Sequence, residues 1–72
     1  MGRTSSQQKL GKKLQGLRKS QGLSQEHLSL SAKVDRSYLS EIENGLRNPS
    51  LQTLEKLAKA LKVKISDLTN AA

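Results

Sequence analysis

The chain has no cysteine, no phenylalanine and no tryptophan, and only one proline, one tyrosine and one histidine in 72 residues. Without cysteine there is neither a disulfide framework nor a thiolate metal site, and a single histidine cannot complete a zinc finger. No apolar run approaches the ~20 residues that a membrane-spanning helix requires. The stretch from Met1 to Lys9 lacks the apolar block of a secretory signal. A glycine-rich phosphate loop is missing, and no nucleophile stands beside a candidate base. The expectation is a cytoplasmic protein with no metal, no cofactor, no catalytic residue and no membrane partner.

What the chain does have is leucine. Thirteen Leu, with two Ile and two Val, must build the core. So few β-branched residues favour helices over sheet. A chain of this length makes one domain and buries only about 60% of its unfolded surface, so its stability is marginal and dimerisation would add to it. Thirteen Lys and Arg against six Asp and Glu give a net charge of +7. The excess is uneven: residues 1–22 carry Arg3, Lys9, Lys12, Lys13, Arg18 and Lys19 and no acid. That asymmetry points to a polyanion, nucleic acid before anionic lipid, with a merely soluble basic surface as the plainer alternative.

Hydrophobic periodicity divides the chain into a flexible arm over 1–5 and a domain over 6–70, with helices at about 6–20, 24–32, 35–44, 50–61 and 66–70. In the first, Leu10, Leu14 and Leu17 share a face, Ser6 is the candidate cap and Gly22 the stop. Ser24 opens the second, with Leu28 and Ala32 inward. Asp35 opens the third and Asn44-Gly45 closes it, with Leu39 and Ile42 inward. Ser50 opens the fourth, whose inward stripe is Leu51, Leu54, Leu57, Ala58 and Leu61; Lys56, Lys59 and Lys62 ride outside as a solvated face rather than a second DNA site. Ser66 is the candidate cap of the fifth, anchored by Ile65 and Leu68. His27, alone in a first turn, reads as a surface residue.

The join between the second and third helices carries the functional signal. Only Lys33 and Val34 separate Ala32 from the cap Asp35. So tight a connection sets two helices at a steep angle and leaves the second with a bare outer face. That face holds Arg36, Ser37, Ser40 and Glu41. Arg36 can fork onto the two acceptors of a guanine, the serines can bond several bases, and Glu41, which repels phosphate, can accept from a cytosine amine. A solvated surface acid is the alternative for Glu41. For Tyr38 the choices are packing beside the helix or a hydroxyl contact to phosphate.

The motifs Ser24-Gln25-Glu26-His27-Leu28, Val34-Asp35-Arg36-Ser37-Tyr38-Leu39-Ser40-Glu41-Ile42-Glu43-Asn44-Gly45, Arg47-Asn48-Pro49-Ser50 and Leu54-Glu55-Lys56-Leu57-Ala58-Lys59-Ala60-Leu61 resemble the Cro/repressor (Xre-like) helix-turn-helix family over about Lys9 to Leu68. The stretch from Asp35 to Ser50 is also similar to the controller proteins of restriction–modification systems. The resemblance implies an all-α, five-helix, lambda-repressor-like bundle that reads double-stranded DNA with its third helix, as a repressor or other transcriptional regulator. It implies that Gln25 bonds a phosphate, that Arg36, Ser37 and Glu41 read bases, and that Asn44, Arg47 and Asn48 grip the backbone. It implies a homodimer on an inverted-repeat operator, often joined through the last helix.

Glu43 shares the inward face with Leu39 and Ile42, where a carboxylate needs a partner. Arg18 flanks the first helix's leucine stripe, and the family has an Arg–Glu pair at matching positions, so Arg18–Glu43 is expected as a structural ion pair. The chain departs from the family's pattern where Lys33 and Lys62 stand for glycine, Ser29 for alanine and Leu30 for a surface polar residue. A left-handed conformation at Lys33 would cost about 1 kcal/mol. The competing functional reading is an antitoxin or protein-interaction module on the same fold; the lack of a long disordered tail to wrap a toxin counts against it. The chain reads as a complete small protein rather than the headpiece of a longer repressor.

Overall fold

A computed structural model describes residues 5–69, and among them there are five helices and no strand. They are α1 (Ser5–Ser20), α2 (Gln25–Ala32), α3 (Arg36–Glu43), α4 (Leu51–Leu61) and α5 (Ile65–Thr69). α1 packs on α3 and α5, α2 on α3 and α4, and α4 on α5. Leu14, Leu28, Leu39, Ile42, Leu57, Leu61 and Leu68, drawn from all five helices, are fully buried and form one core.

Each interhelical turn is closed by local chemistry. The side chains of Ser24, Asp35 and Ser50 accept from the backbone N–H of His27, Tyr38 and Thr53, satisfying donors that a helix start leaves open. α1 to α4 are each followed by a residue in the left-handed region: Gly22, Lys33, Gly45 and Lys62. After α2 the Val34 N–H donates to the Ser29 carbonyl at 3.0 Å, and after α4 the Val63 N–H donates to the Ala58 carbonyl at 3.0 Å. These bonds satisfy carbonyls near the helix ends and explain why a β-carbon is tolerated at Lys33 (φ 57°) and Lys62 (φ 58°).

Gly11 is needed for another reason. A β-carbon there would lie 2.5 Å from the Ile42 carbonyl oxygen and 2.6 Å from that of Glu43. α1 therefore crosses the end of α3 at backbone contact, which brings the third helix's inner face against the first.

Several boundaries differ from those read in the sequence. α1 begins at Ser5, so Ser5 is no part of an arm and Ser6 lies inside the helix rather than capping it; the rest of the arm, residues 1–4, is outside the described residues, as is Asn70. α5 begins at Ile65, and Ser66 is inside it. Its cap comes from within, where the Asp67 carboxylate accepts from the Lys64 N–H at 2.9 Å. Leu51, placed inward by its spacing, is 65% exposed. It opens the first turn of α4, one turn ahead of Leu54, where the buried stripe begins.

Candidate nucleic-acid interface

The two faces of α3 have opposite fates. Leu39, Ile42 and Glu43 are buried, while Arg36 and Ser37 are exposed and Ser40 and Glu41 half-buried. Together with Gln25 from the start of α2, these last four line one shallow concavity on the surface. Five candidate contact residues, from two helices joined by the Lys33–Val34 turn, thus share one patch.

Glu43 fixes the inner face. Its carboxylate accepts from Arg18 Nε at 2.7 Å and Nη2 at 3.0 Å, a two-pronged pair with side-chain exposures of 8% for Arg18 and 1% for Glu43. The third prong of the guanidinium, Nη1, donates to the Leu23 carbonyl at 2.7 Å. Gln25 Nε2 donates to Glu43 at 3.0 Å. No buried side-chain polar atom among the described residues lacks a partner. The hydrogen bond to Glu43 holds the Arg18 guanidinium still further above its already high pKa; burial opposes this and the carboxylate's charge adds to it. One network therefore joins α1, the Leu23 turn, the start of α2 and the end of α3.

The outer face has its own network, which sequence reasoning missed. Arg47 Nε donates to Glu41 at 2.9 Å, and the Arg47 guanidinium lies over the Tyr38 ring, 5.1 Å from its centroid. Asn44 Nδ2 donates to the Ser40 carbonyl at 2.9 Å. Tyr38, Glu41 and Arg47 are thus linked to one another, and Ser40 is linked separately to Asn44. Arg36, Ser37 and Asn48 are exposed and make no side-chain hydrogen bond to the rest of the described protein. Tyr38 is half-buried and packs against the core, so its ring serves as a floor for Arg47. The available signal was Gly45: a left-handed residue there turns the chain so that the Leu46 N–H donates back to the Glu41 carbonyl at 2.8 Å, which puts Arg47 beside α3.

The chain matches the helix-turn-helix family over residues 14–68. It belongs to that family. A curated relative, the control protein C.MunI of a Mycoplasma species, is 46% identical over 61 residues, 83% of this chain and 82% of the relative. Of solved structures, the restriction-modification controller protein C.AhdI from Aeromonas hydrophila superposes with a TM-score of 0.88 at 42% identity, covering 90% of this chain and 98% of that one. The biofilm regulator SinR, solved in complex with DNA, superposes with a TM-score of 0.79 at 42% identity, covering 82% of this chain and 95% of that one. The five-helix architecture of this family member is the one its motifs implied. Among the described residues no group of His, Cys, Asp or Glu gathers as a metal site, and no helix is long and apolar enough to cross a membrane.

Proposed function

We propose that the chain is a sequence-specific DNA-binding transcriptional regulator, acting most simply as a repressor, that lays the outer face of α3 in the major groove. The observation that carries this reading is the division of α3. Its inner face is locked by packing and by the Arg18–Glu43 pair, while Arg36 and Ser37 stand free beside Ser40 and Glu41. A rigid helix with bare hydrogen-bonding groups fits a groove whose base edges carry distinct donor and acceptor patterns. The excess of positive charge supplies attraction to phosphate.

In this reading Arg36, Ser37, Ser40 and Glu41 face bases. Gln25, Tyr38, Asn44, Arg47 and Asn48 face the sugar-phosphate backbone. Likeness to control proteins, and to a regulator whose structure holds DNA, supports a regulatory role. Two copies on an inverted repeat would place their α3 helices one helical turn, about 34 Å, apart.

Selection of binding sites from random duplexes, followed by titration of the selected duplex, tests the proposal. An inverted repeat should emerge, and binding should weaken steeply with salt. Arg36→Ala should relax base preference at one position of each half-site, and Arg47→Ala should weaken all duplexes alike. Failure to enrich any sequence, or an Arg36→Ala protein with unaltered preference, overturns it.

A further inference from the structure

At the end of α2 away from Gln25 lies a second concavity with a different character. Lys33, Lys56, Lys59 and Lys62 line it, together with Ser31, Ala32 and Ala60, around a volume of about 480 Å³. It shares no lining residue with the concavity on α3.

Three observations single it out. First, none of the four lysines is ion-paired: the only ion pairs among the described residues are Arg18–Glu43 and Arg47–Glu41. Secondly, Lys33 and Lys62 are the only non-glycine residues described with positive φ. Gly22 and Gly45 take the equivalent places after α1 and α3 without the steric cost of a β-carbon, roughly 1 kcal/mol. The two helix ends that carry lysine instead are the two that border this cleft. Local hydrogen bonds hold both backbones, so what marks these two positions is the charge they bring to the cleft. Thirdly, helix dipoles do not account for the charge. The carboxyl ends of α2 and α4 attract cations, but each contributes only about half a negative charge, roughly −1 in all against four ammonium groups.

We propose that this cleft binds a small polyphosphate anion. The volume falls in the range of small-molecule sites, about 300–1,000 Å³. The alanines leave room between the lysine stems, and ammonium groups from two helices can converge on several phosphoryl oxygens. No aromatic side chain lines the cleft, so there is no stacking platform for a base, and the phosphate chain is the part recognised.

The test titrates the full chain with tripolyphosphate at physiological ionic strength, reading amide shifts by NMR and affinity by calorimetry, with sulfate at matched ionic strength as control. Shifts should cluster at residues 31–33 and 56–63. The double substitution Lys33→Gly with Lys62→Gly removes two charges while relieving both strained positions, so the fold should be at least as stable. Its binding should fall about tenfold or more, as expected for losing charge-assisted bonds. Lys56→Gln with Lys59→Gln, on an exposed helix face, should show the same loss. A nucleoside triphosphate that binds as well as tripolyphosphate supports recognition of the phosphate chain whatever its source; a nucleotide that binds tenfold tighter shows that the base is recognised and overturns it. Shifts spread equally over Lys9, Lys12 and Lys13, unchanged affinity in the glycine variant, sulfate matching tripolyphosphate, or a response at the cleft to DNA alone would each overturn the proposal.

Discussion

Arg18→Ala should be among the most damaging single substitutions in this domain. In the native protein Glu43 is almost wholly buried and accepts two bonds from Arg18 and one from Gln25. The substitution strips the charge partner and two of these three donors, and also removes the donor to the Leu23 carbonyl. Breaking a buried pair from one side costs about 3–5 kcal/mol, because an uncompensated charge is left inside. Small domains have total stabilities of about 5–15 kcal/mol, so a large share of the folding free energy is at stake. At about 4–8 °C per kcal/mol for this size class, the midpoint should fall by more than roughly 12 °C. Thermal and urea unfolding followed by circular dichroism would measure it. Replacing both partners, as Arg18→Met with Glu43→Leu, should recover much of the loss, since apolar groups of similar volume fill the site without an orphaned charge. An Arg18→Ala protein with the native midpoint, or a double variant no better than the single one, would refute the reasoning.

Gly11→Ala should destabilise by about 1–3 kcal/mol through overpacking, although alanine is the better helix former, because its β-carbon would meet the Ile42 and Glu43 carbonyls. Gly16→Ala, in the same helix with open space around it, should instead stabilise by about 1 kcal/mol; thermal melts of the pair separate contact from propensity. Ser50→Ala removes the acceptor for the Thr53 N–H and should cost about 1 kcal/mol in urea titrations. Glu41→Gln should change stability by less than about 1 kcal/mol, since its pair with Arg47 is exposed. It should raise affinity for random duplexes, because the carboxylate no longer competes with phosphate for Arg47, while the salt slope stays nearly the same because Arg47 contacts phosphate in both proteins; unchanged affinity would show that Arg47 does not exchange partners.

The sequence exposes most of this architecture because its punctuation is local. Ser24, Asp35, Ser50, Gly22 and Gly45 each act within one turn of their own position, and the leucine spacing orients the helices between them. The inner network is legible for a related reason: Glu43 falls on the apolar face by periodicity alone, which demands a partner, and Arg18 is the partner found. Periodicity misplaces Leu51 because it reports which way a residue points, not whether a neighbour is there to cover it. The start of α5 is misread because its cap, Asp67, lies inside the helix rather than ahead of it. The Glu41–Arg47 pair is hidden from a helical wheel because the two residues lie on different elements, and only the reversal at Gly45 brings them together.

Two glutamates on one short helix then divide the work. Glu43 and Glu41 are two residues apart, so they fall on opposite sides of α3, and each holds an arginine from another part of the chain. The inner pair is dry and two-pronged, and its loss costs several kcal/mol, so it fixes the angle of α3 against α1. The outer pair is exposed and contributes at most about 1 kcal/mol, so Arg47 can trade its carboxylate for a phosphate at little cost. A helix that must present Arg36 and Ser37 in one orientation needs the first kind of bond. A loop that must close on DNA after α3 has seated needs the second. Base preference should therefore depend on Arg18 and Glu43, which are turned away from the concavity on α3, as well as on the residues that line it. Arg18→Lys keeps the charge but not the two-pronged geometry, and it should blur discrimination between cognate and random duplexes even where the domain remains folded. Full discrimination in a folded Arg18→Lys protein would show that packing alone sets the angle of α3.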